Sequence, residues 1–249
     1  MREYDIVVIG AGPGGYETAL EAAGTYGMKT ALIEKEALGG TCLNHGRIPT
    51  KTLLHSADLY REIRECSRFG LTAGEVSFDM DKIQDRKEEV LNTLRSGIAM
   101  QMKQKKVTVI EGTGRLVDGH TVEAVKPDGS KITLDTEFVL IATGSRASLP
   151  PIPGADLPGV MTSDGLLESR TVPQHLLIIG GGVIGMEFAS VYSSLGVPVT
   201  VLEALPRIIA NLDKELSQSL KLLMKTKRHP GNYHTCNKSH KYFRWSPCT

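Results

Sequence analysis

Residues 5–15 read Asp5-Ile6-Val7-Val8-Ile9-Gly10-Ala11-Gly12-Pro13-Gly14-Gly15. The apolar run Ile6–Ile9 lacks the alternation of a half-exposed strand, so it predicts a strand buried on both faces, as in a parallel sheet. Tyr16–Ala23 then reads as helix, and Lys29–Ile33 as a second strand that ends at Glu34. This is a β-α-β unit built around Gly10, Gly12 and Gly15. The first glycine allows a tight turn, the second lets the backbone approach a pyrophosphate, and the third lets helix pack close on strand. The helix N-terminus offers unpaired N–H groups to the phosphates. Glu34 stands where a ribose hydroxyl would be accepted.

The pattern recurs 170 residues later. Strand Leu176–Ile179 leads into Gly180, Gly182 and Gly185, a helix to about Leu195, and strand Val199–Leu202 ending at Glu203. Between the repeats, helices are predicted over Pro49–Arg64 and Asp79–Lys103, the second with an apolar stripe of Ile83, Val90, Leu94 and Ile98. A strand at Val107–Glu111, a hairpin of Thr121–Val125 and Lys131–Leu134, and a buried strand at Phe138–Ile141 follow. Prolines 150, 151, 153 and 158 mark a linker. The expected fold is α/β, with two Rossmann-like dinucleotide-binding units, the second truncated. The expected boundaries are 1–148, 149–224 and a basic tail, 225–249.

The chain is glycine-rich, with 26 in 249 residues, and poor in aromatics at 5%. A net charge of +1 gives no bulk reason for nucleic acid or a membrane surface as partner. No apolar run reaches the 18 residues of a membrane span and no secretory leader is evident, so a cytoplasmic location is expected. Residues 225–249 carry six Lys/Arg, no acid, three of the seven His and the only Trp, and read as foreign to the fold. Their His229, His234, Cys236, His240 and Cys248 match no regular ligand spacing, and no metal is expected. Cys66 and His55, on a helical stretch, read as packing residues.

One segment identifies a family. Gly39-Gly40-Thr41-Cys42-Leu43-Asn44-His45-Gly46-Arg47-Ile48-Pro49-Thr50-Lys51 resembles the redox-disulfide segment of the pyridine nucleotide-disulfide oxidoreductases. Ala142-Thr143-Gly144-Ser145-Arg146 is similar to their second flavin-contacting stretch, and Gly182-Val183-Ile184-Gly185-Met186-Glu187 to their nicotinamide-side motif. Within the family, the dihydrolipoamide dehydrogenases look nearest, and glutathione and mercuric reductases share the motifs. The resemblance covers residues 4 to about 224.

The resemblance implies FAD along Gly10, Gly12, Gly14, Gly15, Glu34, Gly40, Thr41, Lys51, Gly114, Thr143, Gly144 and Ser145. It implies a nicotinamide nucleotide along Gly180, Gly182, Gly185, Glu187 and Glu203. Ala204 and Leu205 follow Glu203 where a base would pair with a 2′-phosphate, which favours NAD over NADP. By resemblance, Lys51 and Glu187 form an ion pair near the flavin, and Cys42 is the thiol that attacks a disulfide substrate. The family's second redox cysteine falls at Arg47 here. Five residues of ideal helix leave positions 42 and 47 about 140° apart, so a bridge needs an irregular turn, which Gly46 can supply. The family's His–Glu acid–base pair and most of its homodimer interface lie in a C-terminal half with no counterpart in these residues. Three readings stand open: a dihydrolipoamide dehydrogenase acting on a lipoyl-bearing protein or small disulfide and impaired at Arg47, a nucleotide-binding fragment, or an FAD-dependent diaphorase.

Overall fold

The structure, a computed structural model, describes residues 2–226. The expectation of a foreign tail at 225–249 lies outside the described residues apart from two helical positions at its start. The chain divides into two compact units, one of residues up to Thr52 with Gln84–Glu168, the other of Leu53–Ile83 with the residues from Ser169 on.

In the first unit, β1 (Tyr4–Ile9), α1 (Pro13–Gly24) and β2 (Thr30–Glu34) form the expected β-α-β. β3 (Thr108–Glu111), β4 (Thr113–Leu116), β5 (Thr121–Val125) and β6 (Lys131–Ile141) complete a six-stranded sheet in the order β3-β2-β1-β6-β5-β4. β1 pairs in parallel with β2 and β6, while β4, β5 and the first half of β6 form an antiparallel extension. The two strands expected at 131–134 and 138–141 are therefore one strand. Its first half pairs with β5 and its second with β1, so a single strand serves two neighbours. β4 escaped the sequence reading because Thr113-Gly114-Arg115-Leu116 has little strand character.

Both faces of β1 are covered. Val7 and Ile9 pack with Ala31, Ile33, Val122, Ala124 and Leu134, while Val8 packs with Ala19, Leu32, Leu91, Ile98 and Met102. That double burial explains the unbroken apolar run. Leu91, Ile98 and Met102 lie on a long helix, Met80–Gln104, whose buried face differs from the expected stripe: Leu94 is exposed. Polar residues disguise that face. Gln84 and Lys87 are buried on it, and Lys87 Nζ donates to Leu167 O at 2.9 Å.

The second unit carries its own β-α-β: β7 (Leu176–Ile179), the helix Val183–Ser194, and β8 (Val199–Leu202), with the strands paired in parallel. A C-terminal helix, Lys214–Thr226, was not anticipated from sequence. Among the described residues, no helix is long and apolar enough to cross a membrane.

Candidate functional site: two nucleotide loops and a cysteine segment

The order of the first sheet places β1 between β2 and β6, with β3 beyond β2 on one side and β5 beyond β6 on the other, so the strand order reverses at β1. In open α/β sheets the crevice at the carboxyl ends of such strands is where ligands bind. Here the Gly10–Gly15 loop leaves β1, Glu34 ends β2, and Thr143, Gly144 and Ser145 follow β6. Gly10 has φ +102° and lies so close to Ala142 O that no Cβ fits. A Cβ on Gly15 would collide with Gly10 O, which seats α1 directly on the turn. Gly12 caps α1 with no side-chain hydrogen bond, and Gly14 faces open space. This uncapped helix end in front of open space fits a pyrophosphate. Gly40 crosses the loop so closely that its Cβ would stand 2.5 Å from Gly12 Cα.

Glu34 is already engaged. Its Oε2 accepts from Ala11 N–H at 2.6 Å and its Oε1 from Glu36 N–H at 2.9 Å. A carboxylate has about four acceptor positions, so ribose hydroxyls still find partners there. Gly114 packs closely in the sheet: a Cβ on it would stand 2.8 Å from Ile9 Cγ2.

The cysteine segment folds as a short helix, α2 (Gly40–Asn44), a break at His45–Gly46, and α3 (Arg47–Arg64). α2 was not expected, and α3 begins two residues before Pro49. The irregular turn exists at His45 (φ −132°, ψ 15°) and Gly46, which lie outside both helices. Gly46 is needed for space, since a Cβ there would lie 2.8 Å from Thr41 O. The break brings Arg47 back over Cys42: Nη2 donates to Sγ at 3.5 Å. The sulfur raises the Arg47 pKa above its ordinary value, first by that hydrogen bond and then by its charge. Cys42 is partly buried and Arg47 exposed.

Asn44 and Arg95, which the motif reading gave no role, help to fix this segment. Asn44 Nδ2 reaches Ala37 O, Leu38 O and Gly40 O at 3.0–3.3 Å, and its Oδ1 accepts from Arg95 Nε at 2.6 Å. Nothing local in the sequence links Arg95 to position 44, because the bond spans 51 residues. Thr41 Oγ1 donates to Ser145 O at 3.3 Å, joining the cysteine segment to the loop after β6.

The second unit repeats the first in detail. Gly180 has φ +112°, Gly182 caps a 12-residue helix without a side-chain bond, and a Cβ on Gly185 would strike Gly180 O. Glu203 Oε2 accepts from Gly181 N–H at 2.6 Å and Oε1 from Leu205 N–H at 2.7 Å. Gly182 faces open space, as the fit of a second nucleotide requires. Arg207, four residues after Glu203, donates from Nη2 to Ala210 O at 2.9 Å within its own loop. Lys51 lies on α3 in the first unit, and Glu187 on the helix after Gly182 in the second.

Comparison with known proteins agrees with this construction. Dihydrolipoyl dehydrogenase of Acholeplasma laidlawii is 44% identical over 220 residues, which cover 86% of this chain and 64% of that one. The Bacillus subtilis dihydrolipoyl dehydrogenase is 42% identical, covering 90% and 49%. The chain spans about half the length of most such relatives. Among solved structures, a Cu(II) complex of the HOCl-induced flavoprotein disulfide reductase RclA from Escherichia coli matches with a TM-score of 0.77 and 34% identity, over 90% of this chain and 48% of that one. Residues 4–228 match the family described as pyridine nucleotide-disulphide oxidoreductase, and the chain belongs to that family.

Proposed function

We propose that this chain is a flavoprotein of the dihydrolipoyl dehydrogenase type whose disulfide relay is interrupted at position 47. Its first glycine-rich loop holds FAD and its second NAD(H). The complete reaction of this type takes dihydrolipoamide and NAD⁺ to lipoamide, NADH and a proton. A lipoyl-bearing protein or a small disulfide is the substrate, and a homodimer the assembly. FAD held there would supply a two-electron carrier between the thiol pair and NAD(H).

The carrying observation is the contact of Arg47 with Cys42. Moving an electron pair between a dithiol and the flavin in this way needs two adjacent sulfurs, one to attack the substrate and one to close a bridge to the first. Arg47 has no redox-active atom, so Cys42 has no partner sulfur at position 47. The Arg47 guanidinium donates a hydrogen bond to that sulfur at 3.5 Å. The chain's own residues then do four things. Gly10–Gly15 admit a pyrophosphate to the helix end, and Glu34 receives a ribose. Gly180–Gly185 and Glu203 do the same for the second nucleotide, and Arg47 holds Cys42.

A second reading, an NADH-dependent diaphorase, is favoured by the completeness of both glycine-rich loops, neither of which involves position 47. Steady-state assays of the FAD-loaded chain test both. Reduction of a dye by NADH is the expected activity, with lipoamide turnover far below the ~10 s⁻¹ of an ordinary enzyme. Lipoamide turnover near that rate refutes the interruption, and the loss of both activities together with nucleotide binding refutes the assignment.

A further inference from the structure

One residue beside the second glycine-rich loop has a backbone conformation that its side chain resists. Ile209 has φ +42°, in the left-handed region that β-branched residues avoid. Its N–H donates to Gly181 O at 2.7 Å, while Gly181 N–H donates to Glu203 at 2.6 Å. The middle residue of the loop is thus gripped on both sides. The first unit grips Ala11 in the same way: its N–H donates to Glu34, and its carbonyl accepts from Gly39 N–H at 2.8 Å. Gly39 is also left-handed, at φ +99°, but carries no side chain. Where the first unit uses glycine, the second uses isoleucine, and such strain persists only where the surroundings over-determine it.

Those surroundings can be named carbonyl by carbonyl. Ile208 O accepts from Ser217 Oγ at 2.7 Å, Ile209 O from Leu212 N–H at 2.9 Å, and Ala210 O from Arg207 Nη2 at 2.9 Å. Ile208, Ile209 and Ser217 are buried. Arg207 Nη1 is buried too and has no hydrogen-bond partner among the described residues. A guanidinium held inside its loop with one nitrogen unsatisfied is costly, which a role in holding the loop explains.

We infer that Arg207 is a positioning residue for the second nucleotide. By holding Ala210 O it keeps Ile209 left-handed, and Ile209 in turn keeps Gly181 in place beneath the pyrophosphate. The inference rests on reading Gly180–Gly185 as the NAD(H) loop. It also gives the base four residues after Glu203 a task other than binding a 2′-phosphate.

The test uses the full chain with Arg207→Met, Ile209→Gly and the double substitution. NADH affinity is read by fluorescence titration, and the amide exchange of peptide 204–212 is read without nucleotide. Arg207→Met is expected to weaken NADH ~10-fold, about 1.4 kcal/mol, and to speed exchange. The double variant is expected to return both to within roughly threefold of the parent, because glycine holds a positive φ unaided. Ile209→Gly alone is expected to bind at least as well as the parent. A guanidinium that touches the nucleotide itself gives no such rescue. Unchanged binding in Arg207→Met, or a double variant no better than the single, overturns the inference. If Arg207→Met fails to fold, a double variant that folds and binds like the parent supports it, and one that also fails overturns it. A parent that binds no NADH defeats the reading of the loop, and the exchange data then decide the brace.

Discussion

Gly12 and Gly182 are the N-caps of the two loop helices, and the protein's own packing does not require a glycine at either, so replacing them isolates the nucleotides. Gly12 has φ −66° and ψ 176°, and Gly182 φ −73° and ψ 179°, conformations open to any residue. A Cβ on Gly12 meets only Gly40 Cα, at 4.0 Å, and one on Gly182 meets nothing within 4 Å. Alanine reduces the freedom of the unfolded chain, worth about 0.4–1 kcal/mol. It is also a poorer N-cap than glycine by a similar amount. The two nearly cancel, so each variant should unfold within ~0.5 kcal/mol of the parent. The ligand feels the methyl group directly, since the second glycine is where backbone and pyrophosphate approach. Loss of one hydrogen bond to a charged group, about 1.5–3 kcal/mol, weakens binding roughly 10- to 150-fold. Gly12→Ala should therefore lose FAD and keep NADH, and Gly182→Ala the reverse, by flavin and NADH fluorescence titration beside urea unfolding. Gly15→Ala is the contrast, because its Cβ strikes Gly10 O and should destabilise the fold by about 1–3 kcal/mol. Unchanged FAD affinity in Gly12→Ala, or loss of binding only through unfolding, refutes the reasoning.

Tyr192 is fully buried, and its hydroxyl has no hydrogen-bond partner among the described residues. Tyr192→Phe should be neutral or stabilising by up to ~1 kcal/mol at pH 7. Burial pushes the phenol up to about 12. Below pH ~10 it is neutral in both states. From there to about 12 only the unfolded chain releases the proton, and stability falls by roughly 1.4 kcal/mol per pH unit. The Phe variant should lack that part of the alkaline loss, which urea unfolding at pH 8 and 11 would reveal. NADH should bind more tightly than NADPH, and Glu203→Gln should narrow the gap; equal affinities in the parent remove that role from Glu203. Arg47→Gln should slow alkylation of Cys42 by iodoacetamide roughly two- to fivefold at low salt, with the difference shrinking in 1 M salt. A rate independent of residue 47 would show that the contact has no chemical effect.

Both β-α-β units were legible because their signals are local: an apolar run, glycines at fixed offsets, and an acid at the next strand end. The positions of Gly10, Glu34, Gly180 and Glu203 follow from chain order alone. What stayed hidden depends on partners distant in sequence. β6 reads as two strands because its halves face different neighbours, and Lys87 hides a buried helix face because its charge reaches a carbonyl 80 residues away. The Asn44–Arg95 bond and the left-handed Ile209 have no local signature at all. The proximity of residues 42 and 47 was legible only in part. Helix geometry required a break between them, but not that Arg47 would return to within 3.5 Å of the sulfur.

The central claim is that the chain pairs one flavin site with a Cys42 that has no second redox sulfur at position 47. Anaerobic reductive titration of the FAD-loaded chain counts redox centres directly, with Cys236→Ser and Cys248→Ser removing the sulfurs of the tail. A flavin alone takes up two electrons, so one NADH per bound FAD is the expected end point. An end point of two NADH per FAD would reveal a second two-electron centre beside the flavin and contradict the account.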